Sequence, residues 1–146
     1  MILWRISLFQ DLDGLGGLRL DGRWHTAGNR VVYLGESPST VLLEVCVHTA
    51  ANDVPASFML LRIEGPDVEI SSLPEGTLPG DWMNKPVLTQ RLGNEWLNGN
   101  TGVLLRVPSA IVPYTFNYLL NPLHPLAAEF RIVEAIAWPF DGRIKQ

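Results

Sequence analysis

Thirteen glycines and eleven prolines are spread along the whole of this 146-residue chain, and that punctuation limits what it can build. Glycine weakens helix and strand interiors and proline removes a backbone donor, so a bundle of long helices is excluded. The spacing predicts many short elements joined by turns. Residues 2–8 alternate as a strand, and D-L-D-G-L-G-G at 11–17 reads as a loop, as does 22–29. Val31-Val32-Tyr33-Leu34, closed by Gly35, is a short buried strand. Ser37 then offers an N-cap oxygen and Pro38 suits the first helical turn, so a helix runs from Pro38 to about His48. Its run Val41-Leu-Leu-Glu-Val-Cys-Val has strand propensity, which the cap signal overrides.

Further along, 57–64 and 68–71 read as strands, with a Pro/Gly connection over 73–80. Asn84-Lys85-Pro86 repeats the cap-then-proline signal and opens a second helix to about Asn98, with Leu88, Leu92, Glu95 and Trp96 near one stripe. Strands follow at 103–107, 116–120 and 132–138, with a turn at Asn121-Pro122 and a short helix over 124–130. Six or so strands with two or three helices make one α+β domain over residues 1–146, with mostly antiparallel sheets.

Hydrophobic residues make up 47% of the chain and charged residues 18%, enough for one real core. A formal charge of −4, with arginines scattered singly and no basic run, argues against direct nucleic-acid binding. Cys46 is the only cysteine, so an internal disulfide and a cysteine zinc cluster are excluded and a cytoplasmic location is the expectation. The first residues lack the pattern of an export signal, and no apolar run approaches the roughly 20 residues of a membrane span. His25, His48 and His124 show no metal-ligand spacing, and G-L-G-G lacks the lysine of a phosphate-binding loop, so neither a metal nor a P-loop is expected.

Glu44 stands out because it interrupts an apolar run, where a carboxylate is costly unless paired. Either it pairs with His48 on the same helix face, or it lies at the floor of a cleft. Arg23, in G-R-W-H-T-A-G, could grip a phosphate through a bidentate fork or stack on Trp24 at the surface. Arg5 lies in the first strand, where a solvent-facing role is common, and Tyr33 in an apolar strand is by default a core aromatic. Ser109 has no nucleophile elbow around it and reads as a turn serine. Asn117, Asn121 and His124 lie in F-N-Y-L-L-N-P-L-H-P, where Asn121 before proline also has a simple turn explanation.

Taken in order, W-R-I, G-R-W-H-T-A-G, V-V-Y-L-G-E-S, L-L-E-V-C-V-H, V-P-S-A-I-V-P and N-Y-L-L-N-P-L-H-P resemble the RES domain family over nearly the whole chain, with 67–102 the least characteristic stretch. The arginine, glutamate and serine that name the family fall on Arg23, Glu44 and Ser109. The resemblance implies a fold similar to ADP-ribosyltransferases and the toxin of a bacterial toxin–antitoxin pair. Such a toxin consumes NAD and is neutralised by an Xre-type antitoxin with a helix-turn-helix region. It further implies that Glu44 stabilises positive charge on the ribose, Arg5 and Arg23 hold pyrophosphate or ribose, and Tyr33 stacks on nicotinamide. Ser109 would orient Glu44 or a ribose hydroxyl, supported by Asn117, Asn121 and His124. Family members degrade NAD with water or phosphate, or transfer ADP-ribose to a protein. A glutamate on a helix, without a paired E-x-E or Q-x-E motif, favours water or phosphate as acceptor. A non-catalytic interaction domain built on the same polar residues is the rival reading, and RNA 2′-phosphate transfer is disfavoured by the acidic charge.

Overall fold

Ser37 does cap a helix: its Oγ accepts the Thr40 amide at 3.1 Å, with Pro38 in the first turn of α1 (Pro38–His48). The computed structural model describes residues 1–145. Before α1 lie β1 (Ile2–Ile6) and β2 (Val32–Gly35); after it come β3 (Ser57–Glu64), β4 (Ser71–Ser72), α2 (Pro86–Gly99), β5 (Leu104–Pro108), β6 (Phe116–Leu120) and β7 (Arg131–Pro139). Short 3-10 turns fill the connections at Leu15–Leu18, Ala51–Asp53, Trp82–Asn84 and Pro125–Glu129.

The α+β expectation holds, with one sheet in place of several: seven strands in the order β4-β5-β6-β2-β1-β3-β7, antiparallel throughout except β4 beside β5. Side chains alternate across it. Leu3, Val32, Leu34, Leu61, Ile63, Leu104 and Leu120 build one buried cluster. Leu105, Val107 and Leu119 face the other way and pack with Trp24, Val31 and Leu97 of α2.

Four local expectations need correction. The strand read at 68–71 is ladder-paired only at Ser71–Ser72, because Val68 and Ile70 pack against the core cluster without backbone partners. Asn84 does not cap α2: it belongs to the preceding 3-10 turn, and Lys85 occupies the cap position without a side-chain bond. The buried stripe of α2 is Thr89, Gly93 and Leu97, while Glu95 is exposed, because the helix packs its glycine face against the chain at Trp24. A Cβ on Gly93 would lie 1.6 Å from the Trp24 carbonyl oxygen. The short helix expected after His124 is a 3-10 turn.

Candidate active site

β1 pairs with β3 along its whole length, but with β2 only through Trp4 and Gly35. Past that pair the two strands are no longer hydrogen-bonded, and Arg5 on one side and Tyr33 on the other line a cavity of about 650 Å³. This lies within the range of roughly 300–1,000 Å³ usual for small-molecule sites. The face of α1 carrying Val41, Glu44, Val45 and His48 forms a second wall, and residues from Gly16 to His25 form a third.

α2 holds that third wall in place. Thr89 Oγ1 donates to the Arg23 carbonyl, Gln90 Nε2 donates to the Gly22 carbonyl at 3.0 Å, and Asn94 exchanges two bonds with Thr26. These contacts give G-R-W-H-T a fixed path although it has little regular structure of its own.

Both sequence readings of Glu44 coexist. Its Oε1 accepts from Asn117 Nδ2 at 2.9 Å, its Oε2 lies 3.7 Å from His48 Nε2, and the side chain keeps 30% of its accessible surface. A carboxylate held from two elements at a cavity wall is a fixed negative charge, suited to stabilising a cation opposite it. Arg5 lines the cavity with Nη1 donating to the Asp11 carbonyl at 2.8 Å. Burial pulls its guanidinium below the ordinary value, against the attraction of Asp11 and Asp13. Arg23, also on the wall, donates through Nη1 to the Met83 carbonyl at 3.1 Å.

Arg5, Arg23, Tyr33, Glu44 and Asn117 therefore share one cavity. Ser109, Asn121 and His124 do not line it, and each has a local task. Ser109 Oγ accepts the amides of Ile111 and Val112, a turn bond, and no bond joins it to Glu44. Asn121, fully buried, donates Nδ2 to Leu97 O at 3.2 Å and Asn100 Oδ1 at 3.0 Å and accepts the Leu123 amide at 3.1 Å, tying β6 to the end of α2. His124 Nδ1 caps the following 3-10 turn. Asn121→Ala should lower stability by about 2 kcal/mol, since buried partners lose their bonds, while activity per folded molecule stays at the wild-type level. A denaturation curve beside a turnover assay checks both.

The residue that sequence reasoning missed is His25. Only 4% exposed, it lines the cavity and places Nδ1 2.6 Å from the Tyr33 hydroxyl, which also accepts the Trp24 amide at 3.1 Å. His48 and His124 have a place in the sequence reading, but His25 enters it only through metal-ligand spacing; its signal is an imidazole between Gly22 and an apolar strand. Gly22 is required there, because a Cβ would sit 2.4 Å from the Tyr33 hydroxyl and 2.7 Å from His25 Nδ1. Burial holds the His25 imidazole below its ordinary value, against the Leu20 and Gly17 carbonyls and the Asp21 charge. As pH falls through about 6.5, the unfolded chain binds this proton before the folded one does, so folding stability is lost. Tm measured from pH 7.5 to 5 should fall more steeply for wild type than for His25→Asn. Among the described residues no group of three or more His, Cys, Asp and Glu side chains is placed to hold a metal ion.

A family model described as the RES domain matches residues 2–141. The chain is 50% identical over 134 residues to a Pseudomonas putida protein named Toxin Res, covering 90% of this chain and 92% of that protein. It is 33% identical over 152 residues to the Prs ADP-ribosylating toxin of a Sphingobium species, covering 97% and 94%. Among solved structures, a chain of the M. tuberculosis MbcT–MbcA toxin–antitoxin complex superposes with a TM-score of 0.77 at 16% identity, covering 94% of this chain and 84% of that one.

Proposed function

The chain belongs to the RES domain family, and from that premise we propose that it cleaves the nicotinamide–ribose bond of NAD and acts as the toxin of a toxin–antitoxin pair. The observation that carries the reading is the Glu44 carboxylate, fastened by Asn117 in a cavity that Arg5, Arg23 and Tyr33 also line. Two guanidiniums suit the pyrophosphate of NAD, and an aromatic ring suits nicotinamide.

In the reaction the bond between ribose C1′ and the nicotinamide nitrogen breaks, and its electron pair goes to the nitrogen. Nicotinamide departs neutral and positive charge builds on the ribose, opposite the Glu44 carboxylate. An oxygen of water or phosphate then bonds to C1′, and with water the released proton passes to solvent. The arginines contribute by orientation, holding the remote half of the substrate so that C1′ stays beside Glu44. Water or phosphate is the acceptor on this reading, because no second carboxylate accompanies Glu44 in an E-x-E or Q-x-E pair.

The test is to incubate purified protein, freed of any co-purifying partner, with NAD with and without phosphate and to resolve the products by chromatography. Nicotinamide with ADP-ribose is expected in water, and a phosphorylated ADP-ribose where phosphate is the acceptor. The name of the Sphingobium relative favours a second reading, transfer of ADP-ribose to a protein. Macromolecular label accumulating far faster than free products would select it. No nicotinamide release under either condition, and no labelling of protein when a cell extract is added as acceptor, would return the molecule to the interaction-domain reading.

The toxin assignment draws on the names of the relatives and on the fold shared with a chain of a toxin–antitoxin complex. An Xre-type antitoxin is the proposed partner and the cytoplasm the proposed location. No helix among the described residues is long and apolar enough to cross a membrane. Growth arrest on expression, relieved by co-expressing such a partner, is the expected outcome.

A further inference from the structure

The Tyr33 hydroxyl and the His25 imidazole form a buried pair whose hydrogen-bond direction can be worked out. The hydroxyl oxygen already accepts the Trp24 amide at 3.1 Å, and His25 Nδ1 lies 2.6 Å from it on another side. A phenol has one proton to give, and a neutral imidazole carries its single proton on one nitrogen or the other. Because the Trp24 contact is itself a donor, His25 Nδ1 is the group beside the hydroxyl that can accept the phenol proton. Nδ1 is taken by Tyr33, and Nε2 is buried without a hydrogen-bond partner. The proton therefore belongs on Nε2, which leaves the Nδ1 lone pair to accept from Tyr33 O–H.

We infer that His25 is a positioning residue, which with the Trp24 amide clamps the Tyr33 hydroxyl so that Tyr33 offers the substrate its ring and not its oxygen. This rests on the reading that Tyr33 meets NAD. Both polar capacities of the phenol that matter for recognition, its proton and a lone pair, are spent inside the wall. Burial also pushes the phenol above its ordinary value, so it stays protonated at neutral pH and keeps its proton for His25. The clamp fixes the ring because Tyr33 has few other freedoms once its oxygen is held at two points, and Gly22 leaves the space in which all three groups meet. The same bond links β2, through Tyr33, to the wall that carries His25.

Two measurements test the clamp. The first needs no turnover: histidine-¹⁵N NMR of the wild-type protein at neutral pH should show His25 neutral with its proton on Nε2, and Tyr33→Phe should shift the Nδ1 resonance. A proton on Nδ1 would overturn the inference. The second is kinetic. His25→Leu, which keeps bulk but offers no acceptor, should lose roughly 10- to 100-fold in kcat/KM for NAD. His25→Asn, whose Oδ1 can take the place of Nδ1, should recover most of that loss. Tyr33→Phe should fall no further than His25→Leu, and Tyr33→Leu should fall below both. If Tyr33→Phe is as inactive as Tyr33→Leu, or if His25→Asn is as impaired as His25→Leu, the hydroxyl or the imidazole touches substrate and the clamp is wrong. A wild-type protein that cleaves no NAD would sink the proposed function, while the NMR result would still decide the hydrogen-bond direction.

Discussion

Glu44→Gln should reduce nicotinamide release from NAD by about three orders of magnitude, the scale on which removal of a preorganised electrostatic group is felt. The substitution keeps shape and removes only the charge, so it isolates the electrostatic contribution. Its structural cost should be small: Glu44 is partly exposed, and the Asn117 amide that donates to Oε1 can donate equally to the glutamine carbonyl. The weak pairing with His48, at 3.7 Å and with His48 well exposed, contributes little to folding. Tm within about 2 °C of wild type, in line with a change below 1 kcal/mol, together with lost turnover is the expected combination. A Glu44→Gln protein that folds and still cleaves NAD within tenfold of wild type would remove Glu44 from the chemistry. A large drop in Tm would instead assign the carboxylate a structural role.

The largest effect on stability is expected at Gly93. The α2 backbone approaches the chain at Trp24 so closely that an added Cβ would meet the Trp24 carbonyl oxygen at 1.6 Å and its carbonyl carbon at 2.7 Å. Neither atom can rotate away, because Thr89 fastens the Arg23 carbonyl and Trp24 is buried against Val31, Leu97 and Leu105. Gly93→Ala should therefore cost about 4 kcal/mol or more despite alanine's better helix propensity, a fall in Tm of roughly 10 °C or more. The same substitution displaces Arg23 from the cavity wall, so residual folded protein should also bind NAD poorly. Thermal denaturation decides the point: a Gly93→Ala protein as stable as wild type would mean that α2 does not press on Trp24 as described.

Much of this was readable in the sequence because the decisive signals are local. Ser37-Pro38 announced α1 against the strand propensity of its β-branched run, and its Oγ bond to Thr40 shows why the cap prevailed. The strand around Tyr33 and the strands at 57–64 and 116–120 were legible from apolar runs ended by turn residues. The stripe of α2 was not, because its buried face is carried by Gly93 and Thr89, which hydrophobic periodicity does not count. Their burial reflects what lies opposite, and a one-dimensional pattern holds no record of that. The candidate site divides in the same way. Arg5, Arg23, Tyr33, Glu44 and Asn117 converge on one cavity, whereas Ser109, Asn121 and His124 spend their polar atoms on nearby backbone and neighbouring amides. Ser and Asn beside proline have two physical uses, and only the folded partners choose between them. His25 is not legible in the sequence because its contact lies eight residues away across the loop.

The single registered pair between β1 and β2 has a mechanical consequence. Trp4 and Gly35 form a seam along which the sheet is least stitched, with β3 and β7 on one flank and β6, β5 and β4 on the other. Local opening starts where the fewest hydrogen bonds must break, so amide exchange should be fastest along this line within the sheet. The cavity straddles it, with Arg5 on one flank and Tyr33 and Asn117 on the other. A ligand gripped from both flanks would act as the missing rungs of the ladder. Occupancy would then show as slower exchange in strands that never touch the ligand, and the protein would become stiffest when loaded.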